Sequence, residues 1–343
     1  MFINRGFYNV PVDSQSRISP SRVFDYGHGI SAVDSVYDRK EQTAIHLLIE
    51  GGRAAVIDTG TSNAVPHVMR ALEARGVAPA QVDYVILTHV HLDHAGGAGQ
   101  LMARLPNARL TVHPRGARHV IDPSRLLAAT VAIYGGQETR RIYGEILPVP
   151  KARVIETPEG ATLQLAGREL LFLDAPGHAR HHVVVRDSRT GHIFAGDTFG
   201  ISYRELDQDG RQYSFPTTSP SQFDPPQLHR SIDRMLSLQP EAVYVAHFGR
   251  LTNPTGLAAD LHRLIDAHAE LGERHRRAGA ERKRLLTEGV RSLVLAERER
   301  QGWRLPREKV LEVFALDIEL NAQGIESWLD AEEKSSAGSG KAL

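Results

Sequence analysis

The segment from Thr88 to Gly97 reads THVHLDHAGG and places His89, His91, Asp93 and His94 within six positions. All four side chains are hard or borderline donors of the kind that hold Zn²⁺, Mn²⁺ or Fe²⁺. In an extended segment residues two apart point to the same side, so His89 and His91 can share one ion. Where the chain turns into a helix, Asp93 and His94 stand side by side and can address a second. The chemistry such a site supplies is activation of water: a metal lowers the pKa of bound water from 15.7 towards ~7, and a pair ~3.5 to 4 Å apart also polarises a scissile carbonyl or phosphoryl oxygen. The competing reading is a polar loop that happens to hold three histidines. It leaves unexplained why four donors at this spacing directly follow a buried strand.

Composition narrows the donors further. None of the 343 residues is cysteine, which removes disulfides, zinc ribbons, iron–sulfur clusters and thiol nucleophiles and leaves any metal to His, Asp or Glu. Histidine is abundant instead, 17 residues against 2 Trp and 4 Met. Lys plus Arg and Asp plus Glu both number 41, for a formal net charge of zero. That is a poor match for nucleic acid or an anionic membrane. Apolar residues at 41% and charged residues at 24% fit a globular chain, and no window approaches the ~20 apolar residues of a membrane span. The first residues, MFINRGFYNVPVDSQ, lack an apolar run of signal-peptide type, from which a cytoplasmic location is expected.

The elements that must position these donors can be read from periodicity. Residues 44–50 (AIHLLIE) and 53–58 (RAAVID) are apolar runs around Gly51-Gly52, a hairpin signal. Residues 64–75 carry Val65, Val68, Met69 and Leu72 at helical spacing, and 82–88 (VDYVILT) is a short buried strand. A strand, a donor-rich loop and a helix in that order put the loop at the carboxyl end of a sheet. Further strands are expected at 110–113, within 152–174, and in a hairpin HHVVVRDSRTGHIFAGD that turns near Thr190-Gly191. Residues 123–143 read as helical with a Gly135-Gly136 break and could form a flap beside the site. A long polar connection, 201–226, leads to a helix near 228–238 and a strand at 242–246. Helical periodicity then fills 257–278, 280–300, 307–320 and 322–333. Their mixed charges suit exposed helix surfaces, and 334–343 (KSSAGSGKAL) has the composition of a disordered tail.

The HxHxDH segment, with VIDTG before it, APGH and AGDT after it and a late His in VAHFG, resembles the metallo-β-lactamase superfamily. The five motifs occur in order between Asp58 and His247. The resemblance implies an α/β fold, an αββα sandwich with a metal site at one edge of two facing sheets, here with a C-terminal helical extension. The expected division is a catalytic domain over 1–253, a helical cap over 254–333 and the tail. Carried over residue by residue, the resemblance implies that His89, His91 and His178 hold one ion, that Asp93, His94 and His247 hold a second, and that Asp197 bridges them. Asp58 resembles the acid that orients the histidine loop, and His182 is expected beside the ligands without being one. Two divalent ions are implied, zinc first and iron or manganese as alternatives.

The resemblance also orders the functions. A Cys in the second site is common among true β-lactamases of the superfamily and is absent here, and neither the net charge nor the 197–247 interval suits a nucleic-acid processor. Similarity to glyoxalase II, acyl-homoserine lactonases and the quinolone-signal response thioesterase implies a hydrolase of small esters, thioesters or lactones, in which Asp93 both binds metal and moves a proton to the leaving group. The lactonases have a Tyr three residues after the bridging Asp, where this chain has Gly200, and Tyr203, Tyr213 and Phe199 stand nearby; FGISYRE does not match the glyoxalase II signature. The alternatives are a mononuclear iron oxygenase of the persulfide dioxygenase type and a metal-binding sensor. A cap built around Trp303, Phe314 and Trp328 would favour an apolar or acylated small molecule, and those helices could carry a homodimer interface. Among the remaining histidines, His181 and His192 are expected on the polar side of their hairpin. His28, His46, His67, His113, His119 and His229 are expected to be structural or at the surface, His268 packed, and His262 and His275 exposed.

Overall fold

A computed structural model describes residues 22–218 and 222–339. The N-terminal stretch that bears on location, and the last four residues of the expected tail, lie outside these. Seven strands form the first sheet in sequence order: β1 (Val23–Gly27), β2 (Ile30–Asp34), β3 (Ala44–Glu50), β4 (Arg53–Ile57), β5 (Val82–Ile86), β6 (Arg109–Val112) and β7 (Val154–Glu156). The first four pair antiparallel and the last four parallel. The β3–β4 hairpin closes with Glu50 opposite Arg53, and Gly51 and Gly52 at φ 52° and 73° supply the left-handed turn that other residues resist. The second sheet comprises β8 (Thr162–Leu165), β9 (Arg168–Asp174), β10 (Val183–Asp187), β11 (Ile193–Ile201), β12 (Ala242–His247) and β13 (Gly249–Thr252), in the order β13-β12-β11-β10-β9-β8. Only the β11–β12 pair there is parallel.

Successive strand side chains point to opposite faces, and the alternation builds three apolar layers. From β3 to β5, Leu47, Val56 and Val85 point outward to a helical layer formed by α1 (Val65–Ala74), α3 (Ala98–Arg104) and α4 (Pro114–Ile121), the one-turn α2 (Leu92–Ala95) preceding α3. Leu48, Ala55, Ile57 and Ile86 point inward and meet Phe172, Val183, Val185, Phe194 and Tyr244 of the second sheet. Val184, Val243 and Val245 face the opposite outer layer. Residues 123–143 form α5 (Ser124–Tyr134) and α6 (Gly136–Tyr143), broken at Gly135 as the sequence suggests. The amide of Asn63 donates to the carbonyls of Arg141 and Ile142, and the hydroxyl of Ser62 to that of Glu145, which pins the end of this pair to the sandwich.

The outer layer over the second sheet consists of α7 (Pro225–Ser237), α8 (Pro254–His275), α9 (Arg282–Gln301), α10 (Arg307–Val313) and α11 (Ala315–Ser339). These helices share one continuous core with the sheet: Phe199, Tyr203, Phe215 and Val245 pack in the same cluster as Leu264, Val290, Phe314 and Ile325. The chain turns at Phe314, six residues earlier than periodicity suggests, because that ring is fully buried and stacks on Trp303 at 5.8 Å. The expected tail also differs. Helix α11 runs through Ser339, so 334–339 are helical; adding residues to a helix already fixed by the buried Ile325 and Leu329 costs far less than nucleating one. No helix among the described residues is long and apolar enough to cross a membrane.

Candidate metal centre

Strand β5 ends in the sandwich, and the next residues carry the donors to its edge. The backbone N–H of Thr88 donates to Oδ1 of Asp58 at 2.8 Å and its hydroxyl reaches Oδ2 at 2.9 Å, which ties the donor loop to the end of β4. From the second sheet, His178 follows β9, Asp197 lies within β11, and His247 ends β12. Gly177 brings its neighbour His178 in at φ +127°, where a Cβ would lie 2.4 Å from the Leu228 backbone. Only glycine fits there.

The structure brings all seven expected donors together. His89 Nε2 lies 3.0 Å from Nδ1 of His91, which lies 3.1 Å from Nε2 of His178. Asp93 Oδ2 lies 3.3 Å from Nε2 of His94 and 3.5 Å from that of His247. Asp197 stands between the two sets: Oδ2 is 3.5 Å from His178 Nε2, while Oδ1 is 3.5 Å from His94 and 3.7 Å from His247. His89–His91–His178, Asp93–His94–His247 and His89–His94–Asp197 each form a group compact enough to hold an ion.

Whether these residues suit a metal is decided by their other atoms. His178 Nδ1 faces the carbonyl oxygen of Thr217 at 3.3 Å and His247 Nδ1 that of Gln42 at 3.1 Å. His94 Nδ1 faces Oδ2 of Asp58 at 3.3 Å. Each outer nitrogen is thereby the donor and each inner Nε2 is left a bare lone pair, the arrangement that metal-binding imidazoles require. His94 Nε2 and Asp197 Oδ1 are buried with no hydrogen-bond partner. A cation at this point would satisfy lone pairs that otherwise confront one another at the cost of an orphaned buried acceptor. The donor set fits.

Electrostatics separate the two donor sets. Burial, then the neighbouring histidines, hold His89 and His91 well below the ordinary imidazole value. For Asp93 burial pulls upward, but His94 and His247 outweigh it and hold the carboxyl well below the carboxylate range. Burial lowers His94, but Asp93 and Asp197 outweigh it and raise the ring well above the ordinary value; against its own burial His247 is raised by Asp197 and Asp93, so at these two rings a metal would take the place of a proton. Imidazoles without a proton and carboxylates with a charge are the forms that bind metal.

His182 lies behind Asp197, as expected: its Nε2 accepts the Asp197 backbone N–H at 3.1 Å and its Nδ1 meets the Thr198 hydroxyl at 3.1 Å. His181 and His192, by contrast, do not face a polar exterior. His181 is buried with its ring 5.8 Å from that of His91, and His192 is buried with Nδ1 2.9 Å from the Tyr244 hydroxyl. The PGHARHH turn tucks the first inward against the donor loop, and the second closes the end of the inter-sheet core. His46 is buried between Phe194 and Tyr244, and His268 is packed. His262 is half-buried, its ring stacked on that of His229.

Tyr203, Tyr213 and Phe199 are buried in the core over the second sheet; the Tyr203 hydroxyl is held by Asp317 of α11 at 3.0 Å, and that of Tyr213 accepts the Tyr203 N–H. Two tyrosines that sequence reasoning passed over sit near Asp93 instead. Tyr37 and Tyr143 place their hydroxyls 3.5 Å apart, and the Asp93 charge acts on both. Tyr143 ends the 123–143 segment, the one signal that could have found it.

Comparisons with known proteins identify the family and the fold. The sequence profile of the metallo-beta-lactamase superfamily matches residues 38–247. A metallo-beta-lactamase fold-containing protein of Sulfurisphaera tokodaii is 25% identical over 237 residues, 66% of this chain and 79% of that protein. A hydroxyacylglutathione hydrolase of Synechococcus is 32% identical over 203 residues, 58% of this chain and 60% of its own length. The chain thus spans about three-fifths of that enzyme. Among solved structures, an archaeal metallo-beta-lactamase superfamily protein of Sulfolobus tokodaii superposes with a TM-score of 0.57 at 19% identity, covering 88% of this chain and 99% of the other. That likeness concerns the fold.

Proposed function

The chain belongs to the metallo-β-lactamase superfamily, and from that premise we propose that it is a dinuclear metal-dependent hydrolase of a small ester, thioester or lactone. One observation carries the reading: Asp197 turns one carboxylate oxygen towards His178 and the other towards His94 and His247, the arrangement of a bridge between two ion sites. His89, His91 and His178 would hold one ion and Asp93, His94 and His247 the other, with zinc first among the candidates and iron or manganese accepted by the same donors. Such ions supply a water nucleophile at neutral pH and polarise the scissile carbonyl.

The protein's own residues do the rest. Asp93 is the most accessible carboxylate of the set, its side chain 23% exposed against 4% for Asp197. With Oδ2 turned to His94 and His247, its other carboxylate oxygen is the one placed to take the proton released by the attacking water and pass it to the departing oxygen or sulfur. The Tyr37 and Tyr143 hydroxyls beside it can orient a substrate carbonyl. The hydrolase name of the Synechococcus relative supports the reaction class, and the absence of a cysteine nucleophile is consistent with direct attack by water.

The test is a panel of esters, thioesters and lactones offered to purified protein whose metal content is measured in parallel. Two equivalents of metal with turnover of one bond class is the expected result. One equivalent of iron with oxygen consumption, or no turnover of any substrate by metal-replete protein, overturns it.

A further inference from the structure

The wall of the metal centre formed by His181 is also the inner wall of a groove of about 810 Å³. His181 lies 5.8 Å from His91 on one side and 6.5 Å from His119 on the other, ring to ring. The groove continues outward between α4 and the turn after His178, where Arg115, Arg118 and Arg180 line it together with Gln222. All three arginines are exposed, and among the described residues none forms an ion pair. Their recorded contacts are with neutral groups: Arg115 Nη1 donates to the Arg180 carbonyl at 3.2 Å and Arg118 Nε to Nε2 of His119 at 3.2 Å.

Among the described residues no carboxylate lines the groove, and α4, whose sequence is PRGARHVI, contains none. Three other cavities lined by an arginine also hold carboxylates: Glu73 beside Arg70, Glu270 and Glu288 beside Arg274, and Glu205, Asp207 and Asp209 beside Arg304. In a chain with zero formal charge, three unpaired guanidinium groups around one cavity are a local excess. Arg115 and Arg118 stand three apart on one helix face, where like charges repel. His181 adds a second sign of an unfilled site, since its Nδ1 is buried without a partner.

We propose that this groove binds a phosphoryl group on the far arm of the substrate whose scissile carbonyl sits at the metal centre. The inference rests on the hydrolase reading and names its substrate class. A carboxylate is satisfied by a single bidentate guanidinium, whereas a phosphate monoester brings up to two charges and three acceptor oxygens, which several arginines can share. The shared His181 wall places the arm beside the reacting bond. An arm anchored there orients the carbonyl against the donors, so its binding energy appears as rate as well as affinity.

The experiment uses the full chain with its metal. Three thioesters share one acyl group and differ in the thiol arm, which ends in a neutral amide, a carboxylate or a phosphate monoester; calorimetry with inorganic pyrophosphate provides a binding readout independent of turnover. The expected result is a kcat/KM for the phosphate arm about tenfold or more above that for the neutral arm. In Arg115→Gln/Arg118→Gln that advantage disappears while the neutral thioester is turned over as before, and the pyrophosphate Kd rises about tenfold. Arg118→Gln alone, at an exposed position, gives part of both effects if the double variant fails to fold.

Turnover of the neutral thioester with no gain from phosphate overturns the groove assignment and leaves the hydrolase standing, and a carboxylate arm preferred over phosphate overturns the phosphoryl assignment. An unchanged pyrophosphate Kd in the variants means that the metals hold the probe and also overturns it. If no thioester, ester or lactone is turned over, the hydrolase reading fails, and with it the placement of a scissile bond. Arg-dependent pyrophosphate binding then still supports the groove as a phosphoryl site.

Discussion

The side-chain amide oxygen of Asn321 accepts the backbone N–H of Thr218 at 2.9 Å. Asn321 lies on α11 and is buried; its Nδ2 donates to the Pro216 carbonyl at 2.9 Å, and its own carbonyl accepts the Thr218 hydroxyl. The intervening residue, Thr217, offers the carbonyl that faces Nδ1 of His178. The C-terminal helix therefore reaches the metal donors through three links. Asn321→Ala leaves a buried N–H and a buried carbonyl without partners, which costs about 2 to 4 kcal/mol. The expected outcome is a lower melting temperature together with weaker metal retention in chelator competition. A variant that loses stability but holds metal as tightly as wild type would show that Thr217 orients His178 without help from α11.

His182 supports the opposite side of the site. Its Nε2 accepts the Asp197 N–H and its Nδ1 meets Thr198, whose hydroxyl reaches the Ala175 carbonyl, so the ring connects β11 to the end of β9. His182→Ala frees Asp197 to shift between the two donor sets. Metal affinity should fall about 10- to 100-fold, the usual effect of removing a residue that orients a ligand. Far-UV circular dichroism should stay unchanged, and metal titration against a chromophoric chelator measures the loss.

The continuity of the core argues against treating the C-terminal helices as a removable cap. Truncation after Asn253 uncovers Phe199, Tyr203, Phe215, Val245 and Leu251, all fully or almost fully buried and all in one cluster with α8, α9 and α11. An exposed apolar face of that size marks an aggregating protein. The truncated chain should be insoluble, or soluble without a cooperative thermal transition. Solubility with a wild-type melting temperature would contradict it.

Different parts of this architecture were legible to different degrees. His89, His91, Asp93 and His94 are consecutive enough for local geometry alone to group them, and the Gly51-Gly52 hairpin and the 123–143 helices follow from turn chemistry and periodicity. His178, Asp197 and His247 come from three ends of the second sheet, so only the order of the motifs pointed to them. The orientation of the donors was not readable. Thr217, Gln42 and Asn321 act through carbonyls and amides on residues 39, 205 and 103 positions away, and a backbone carbonyl carries no sequence signature. The β1–β2 hairpin was missed although Gly27-His28-Gly29 marks its turn, because β1 is short and half exposed. The basic groove escaped for a related reason: Arg115 and Arg118 meet Arg180 only after the turn that follows β9 has been brought beside α4.

His46 offers a test of the inter-sheet core that does not involve metal. It lies on β3 between Phe194 and Tyr244, with ring centroids at 5.6 and 5.5 Å, and its Nε2 has no partner. Burial pushes its pKa from 6.5 down to about 3. In the unfolded chain the ring takes up a proton as the pH falls below 6.5, whereas in the fold it stays neutral, so the unfolded state binds more protons and stability is lost on acidification. Replacing it with leucine, close in size and without a charge to acquire, removes this contribution while the other histidines titrate alike in both proteins. His46→Leu should unfold near the wild-type midpoint at pH 7.5 and gain on wild type by about 1.4 kcal/mol for each pH unit below 6.5. Urea midpoints for both proteins from pH 7.5 to 4.5 provide the measurement; parallel curves would mean that water reaches His46 and that the two sheets do not seal at this point.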